Sequence, residues 1–484
     1  MQAVQKKKMD FTEGGVFFKL LLFVLPIIAT NLLQTFYNAA DMIVVGLSHE
    51  ENAVGAIGVT GPFLGLILNV LIGFSVGANV VVAREIGAKD KQKTQNAVHT
   101  SLIMALIFGF GGMALGLFLS KPILSLMGAE TSLLAPAVKY CYIYSLGVPF
   151  LALTNYLMAI FRAKGDSKTP LIVLSLAGLL NVGLNVFFVF ALKMSVEGVA
   201  IATAAANAAS FAVLIIKLRR DNDDTKFSFR KLKIDKQAFK DIVFNGVPAG
   251  IQGALFSLSN MLIQSSILTV NNNSVPSGST YQPVINGSSA AGNLEGFVYT
   301  AMNAVYQGAI TITSQNVGAK KPNRVNRILY ASLLAVVSVG VIMAGIIFLL
   351  RKPLLALYSV KAVEGDEMAM MAFDTAMIRF YLILIPYFLF GIMDVCAGVL
   401  RGMGKAIVST VISLVGICGF RVVWLLAVFP AMPTLEIIFV SYPISWVLSE
   451  IVMFTMIQIL LRRMLKKQQA ENAETENQEV QAAE

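Results

Sequence analysis

Apolar runs of about twenty residues or more recur along the whole chain between short charged breaks, the pattern that membrane-spanning helices impose. Matching runs to breaks predicts twelve helices, at roughly 16–46, 53–83, 97–119, 137–161, 170–190, 197–217, 241–270, 292–317, 328–350, 374–400, 406–429 and 434–461. The expected fold class is therefore an all-α polytopic membrane protein with twelve transmembrane helices. The breaks alternate in charge. One set, from Lys6 to the run ending at Lys467, holds 29 of the 38 Lys and Arg residues. The other set holds seven, with Arg379 counted among them, and Lys19 and Arg421 fall within spans. The excess of basic residues on one side predicts that both termini and the basic loops are cytoplasmic, in a multi-pass protein of the cell (inner) membrane. Lys6 to Lys8 precede an apolar run that is too long for a secretory signal and lacks a small-residue cleavage site, so it reads as the first span.

Composition supports the same reading. The chain has 484 residues, 56% hydrophobic and 14% charged, against roughly a quarter charged in soluble domains. The net charge of +10 follows from topology and contact with anionic lipid, not from nucleic-acid binding. Two His and three Cys are too few for a His/Cys metal cluster or a disulfide framework. Cys141, Cys396 and Cys418 all lie in apolar runs and read as buried thiols. No Gly-rich phosphate loop, Gly-x-Ser-x-Gly or His-Glu-x-x-His occurs, so neither ATP-driven pumping nor hydrolysis is expected. The chain is then no enzyme, needs no cofactor, and draws its energy from an ion gradient.

The long charged stretch 218–240 separates two halves of six helices each. The expected organisation is a cytoplasmic N-terminus at 1–15, an N-lobe at 16–217, a cytoplasmic linker at 218–240, a C-lobe at 241–461 and a cytoplasmic tail at 462–484. The tail reads as a disordered or frayed helical extension. The halves resemble each other. Ala83-Arg84-Glu85-Ile86-Gly87-Ala88-Lys89 parallels Ser314-Gln315-Asn316-Val317-Gly318-Ala319-Lys320. Phe161-Arg162-Ala163-Lys164-Gly165 parallels Leu400-Arg401-Gly402-Met403-Gly404, and Pro26 parallels Pro248. Six spans per half is an even number, so the lobes share one orientation about a pseudo-twofold axis along the membrane normal, with a cavity between them.

Polar groups inside spans are where chemistry is expected, because an acidic side chain at a helix centre costs roughly 2.5–3.5 kcal/mol on insertion scales. Asp41 leads. With Gln34, Tyr37 and Asn38 it forms one polar stripe at helical spacing, roughly 8 Å from the outer boundary. Asn181 and Asn185 lie one turn apart in the fifth span, and Thr203 with Asn207 in the sixth. Asp41, Asn185 and Thr203 share a depth. Hard oxygen ligands suit sodium, and a buried carboxylate suits a proton; a role limited to holding helices together is the alternative. Glu295, Asp394 and Arg421 are the corresponding groups of the second half. Gln34, Tyr37, Asn38, Asn207, Glu295 and Asp394 are candidates to line a substrate cavity. The Asn- and Gly/Ser-rich stretch 271–291 reads as a long outer loop.

Several of these segments resemble the multidrug and toxic compound extrusion family. The stretch from Gln34 through Asp41, followed by Val45-Gly46, is similar to the first helix of its DinF-like and MepA-like members. Arg84 to Ala88, Phe161 to Asp166, Asn293-Leu294-Glu295-Gly296-Phe297 and Leu400-Arg401-Gly402 also fit. The resemblance implies two six-helix lobes in a V. It also implies export of amphipathic, often cationic, organic compounds in exchange for sodium ions or protons, by a monomer in the bilayer. DinF-like members use an acidic residue in the first helix, an Asn-x-x-x-Asp pair in the fifth and a Thr in the sixth. Asp41, Asn181 and Thr203 match those places, which implies a possible sodium site, but Asn185 stands where that pattern has Asp. The main alternative function is a lipid-linked precursor or polysaccharide flippase; a scaffold without transport is a more distant one.

Overall fold

The computed structural model describes residues 9–47, 53–126, 131–275 and 281–483. The first lobe comprises α1 (Val16–Gly46), α2 (Ala53–Gly87), α3 (Lys91–Leu126), α4 (Thr131–Ala163), α5 (Lys168–Val186) and α6 (Val196–Arg220). The second begins with α7 (Lys236–Ser274), α8 (Pro283–Gly318), α9 (Asn323–Leu349) and the short α10 (Arg351–Leu357). Its tenth span is α11 (Glu367–Arg379) continued through a π turn into α12 (Tyr387–Gly402). The two parts are bent by 41° at Pro386, which lacks the N–H that would continue the helix. The eleventh span is α13 (Ala406–Ser413) joined by the π segment Leu414–Gly419 to α14 (Phe420–Ala427), and α15 (Leu435–Ala483) is the twelfth.

Among the described residues ten helices are long and apolar enough to cross a membrane, and the bent α11–α12 pair makes an eleventh. The remaining span, α8, falls short in apolarity for a physical reason. It packs against α1, α2, α9, α11 and α12 and buries Ser288, Glu295, Thr311, Thr313, Ser314, Gln315 and Asn316. A helix walled in by protein finds partners for polar groups that a lipid-facing helix lacks.

The repeat is visible in the backbone. Ala88, Lys89 and Asp90 donate to the carbonyls of Arg84, Ile86 and Glu85, and Ala319, Lys320 and Lys321 do the same to Gln315, Val317 and Asn316. Lys89 and Lys320 take φ of 58° and 54°. Gly165 and Gly404, at φ 79° and 74°, repeat a second turn. The lobes meet reciprocally: a Cβ on Gly87 would lie 2.0 Å from the Gln315 carbonyl oxygen, and one on Gly318 would lie 1.9 Å from that of Arg84. Along α2 and α7, Gly73 faces Gly250 and Gly77 faces Gly246, two Gly-x-x-x-Gly pairs that let the backbones touch. Gln315 Nε2 donates to Ala163 O at 2.7 Å and Arg84 pairs with Asp241 at 2.5 Å. The lobes are thus sealed at the end where the basic loops gather.

Three local expectations, for 271–291, Cys418 and Arg379, are revised, and the tail and the 218–240 segment gain detail. The 271–291 stretch is mostly helix, because α7 runs to Ser274 and α8 begins at Pro283; residues 276–280 lie outside the described residues. Its small residues serve packing: a Cβ on Gly287 would lie 2.0 Å from Ala372 O. The tail continues as helix to Ala483. Cys141 and Cys396 are buried, but Cys418 is half-buried, its thiol 3.7 Å from Leu255 O. Arg379, counted with the outer loops, is buried inside the tenth span. The segment 218–240 is docked on the first lobe: Phe227 is buried there, and His99 of α3 contacts the Ser228 backbone through Nε2.

Candidate functional site

α1 reaches α5 through a gap left by a missing side chain. A Cβ on Gly178 would lie 1.8 Å from the Tyr37 ring, so glycine is what lets Tyr37 lie flat there and donate to Ser175 O at 3.1 Å. One turn further along, Asp41 comes to the same helix. Asn185 Nδ2 donates to Asp41 Oδ1 at 2.5 Å and approaches Asn181 Oδ1 at 3.3 Å. Asn181 Nδ2 donates to Thr203 Oγ1 at 3.3 Å, and Thr203 hydrogen-bonds Asp41 in turn. Three helices, α1, α5 and α6, therefore close a ring of four side chains. Asn181 and Asn185 are buried and Asp41 is half-buried. A π turn at Phe187–Ala191 follows Asn185 directly, as such turns often do beside functional groups.

Two features fix what this ring can do. Among the described residues no Lys or Arg pairs with Asp41, and no group of three or more His, Cys, Asp or Glu side chains converges anywhere. A cation here would be held by one carboxylate and neutral oxygens. Asn185 Oδ1 is buried with no hydrogen-bond donor, which leaves the ring one acceptor without a partner.

The other candidate residues are distributed differently. Gln34 is exposed, and the side chain of Asn38 lies outside the described residues. Asn207 is outside the ring: its amide donates to Thr203 O at 3.0 Å and fixes the backbone beneath it. Glu295 is not free in a cavity. Arg379 grips it with two bonds of 2.9 Å and reaches Ser288 Oγ at 2.9 Å. Asp394 is half-buried on α12, hydrogen-bonded to Asn303, with Oδ2 unpaired. Near it, Tyr299 is 40% exposed, although α8 is flanked by α1, α2, α9, α11 and α12. Gln307 Nε2 donates to Asn303 Oδ1 at 2.7 Å, and Asn69 Nδ2 donates to Ser257 Oγ across the lobes at 3.5 Å.

Sequence reasoning missed two groups. One is Arg379, whose position near a span boundary made it look interfacial. The other is Glu450, half-buried within α15; a lone carboxylate inside the last apolar run was the signal.

The chain matches the MatE family model over residues 26–187 and 248–425. It is 25% identical over 463 residues to the probable multidrug resistance protein YoeA of Bacillus subtilis, covering 93% of this chain and 96% of that one. It is 26% identical over 260 residues to the multidrug export protein MepA of Staphylococcus aureus, 52% of this chain and 56% of that one. A solved outward-facing multidrug resistance MATE transporter of the MOP superfamily superposes with a TM-score of 0.82 at 18% identity, over 95% of this chain and all of that one.

Proposed function

Because the chain belongs to the MatE family of membrane efflux proteins, which are not enzymes, we propose that it is a proton-coupled antiporter that exports amphipathic, mainly cationic organic compounds through Asp41. The observation that carries this reading is the ring itself: a single carboxylate with neutral partners only and one buried acceptor, Asn185 Oδ1, lacking a donor. Protonated Asp41 becomes a donor and fills that vacancy directly. Ionised Asp41 takes the Asn185 amide N–H instead. The ring thus has two hydrogen-bonded states that differ by one proton.

Antiport follows if those states favour different lobe arrangements. A ligand shifts an equilibrium only by its differential affinity for the two states, and coupling is reciprocal. Proton entry from the open end favours drug release and return; drug binding from the other side favours proton loss. The basic end, where the lobes are sealed, is cytoplasmic on this reading, with 1–15, the linker 218–240 and the tail 462–484 on that side of the cell membrane. Asp394, Tyr299 and Gln34 line the path of the organic substrate, and a single chain suffices.

Sodium is the second reading, supported by four oxygens (Asp41, Asn181, Asn185 and Thr203) within one ring. The experiment is efflux of a cationic dye from proteoliposomes with proton and sodium gradients imposed separately. A proton gradient alone is expected to drive dye uphill, and sodium alone is not. Uphill transport on sodium alone would replace the proton reading.

A further inference from the structure

The second lobe holds a buried positive charge that the transport reading leaves unused. Arg421 is 5% exposed and lies about 9 Å from the end of α14 by helical rise, directly after the π segment Leu414–Gly419. Its guanidinium rests on the Tyr442 ring, 3.8 Å from the centroid, and 5.9 Å from that of Trp446. Nε donates to Ser445 Oγ at 3.1 Å. A guanidinium carries five N–H donors, and the remaining four find no acceptor among the described residues. Among the described residues no carboxylate forms an ion pair with Arg421; the charged group acting on it is Arg379, of like sign, which is itself bound to Glu295.

The surroundings are donors too. Trp446 Nε1–H is buried and has no acceptor. The hydroxyls of Tyr387 and Tyr442 have no hydrogen-bond partner among the described residues, and both rings pack on Trp446, at 5.5 and 5.9 Å. Burying a charge without a partner costs several kcal/mol, and unpaired donors add to it. What the site lacks is one anionic acceptor. Ring contacts link it to an exposed residue: Tyr299, 40% exposed, lies tilted 5.6 Å from Phe390, and Phe390 packs on Trp446 at 5.7 Å.

We propose that Arg421, Trp446 and the flanking tyrosines form an anion-binding pocket of the second lobe, which takes one singly charged acceptor: the carboxylate of an aromatic organic substrate or a free halide. The pocket does not depend on Asp41 as the coupling site, because its occupancy is read at equilibrium without a gradient.

Trp446 reports on its own pocket. The chain has two tryptophans, and Trp424 donates to Ile437 O at 2.9 Å elsewhere, so Trp424→Phe leaves Trp446 as the single emitter. Benzoate and chloride are titrated separately into that purified full-length variant at constant ionic strength, and then against each other. A saturable change in emission with benzoate that chloride displaces is expected, and Arg421→Gln is expected to weaken it by at least about tenfold while equilibrium binding of a cationic dye stays unchanged. A change with chloride alone supports the pocket as a halide site. Should Arg421→Gln fail to fold, Arg421→Lys, which keeps the charge but not the planar fork, is expected to retain a weaker response. No saturable change with either anion in the folded Trp424→Phe protein would overturn the proposal and leave Arg421 as a packing group.

Discussion

Asp41→Asn is expected to abolish uphill efflux while leaving the protein folded and able to equilibrate substrate downhill. Asparagine has nearly the volume of aspartate, keeps an oxygen for Thr203 and Asn185, and buries no charge. It cannot bind and release a proton, so the ring is fixed in one of its two states. Site-to-site coupling energies of about 1–3 kcal/mol correspond to about 5–150-fold, and the expected loss in gradient-driven rate is at the upper end, about 100-fold. Uptake by everted vesicles measures it, with dye counterflow as the control for a folded carrier. Gradient-driven transport at the wild-type rate would remove Asp41 from the mechanism.

Arg379→Met is expected to give the largest loss of stability of any single change in the second lobe. Arg379 is buried on the inner face of α11, bound to Glu295 and Ser288 and packed 5.5 Å from the Phe439 ring centroid. Removing one partner of a buried pair leaves the other charge uncompensated, at about 3–5 kcal/mol. Replacing both partners by neutral groups of similar size is often close to neutral. Glu295→Gln with Arg379→Met is therefore expected to recover most of the melting temperature lost by the single variant in detergent. A single variant that melts with wild type, or a double variant no better than the single, contradicts the clamp. Because α8 also carries Tyr299 and the contacts to α1 and α2, this clamp holds the helix that both lobes share.

The helices and their repeat were legible because lipid imposes long apolar runs, and because identical caps recur at Lys89 and Lys320 and at Gly165 and Gly404. The site was legible in depth. Helical rise alone placed Asp41, Asn185 and Thr203 near one level, with Asn181 one turn from Asn185 on the same face. Which way each helix is turned is set by packing, such as Tyr37 against Gly178, and spacing within one helix does not encode it. That is why Asn207, one turn deeper, holds the backbone of α6 and not the ring, and why Glu295 faces Arg379. Arg379 and the 271–291 stretch were misread for a common reason. Polarity was taken as a sign of solvent, whereas in α8 and α11 it marks protein-facing surface.

Proton release on substrate binding tests the central claim most directly. Purified protein in weakly buffered detergent is mixed with a cationic substrate across a series of pH values, and the liberated protons are counted with a pH indicator. Wild type is expected to release close to one proton per bound substrate, and folded Asp41→Asn none while still binding. Equal release from both proteins, or none from wild type at saturating substrate, would contradict the account.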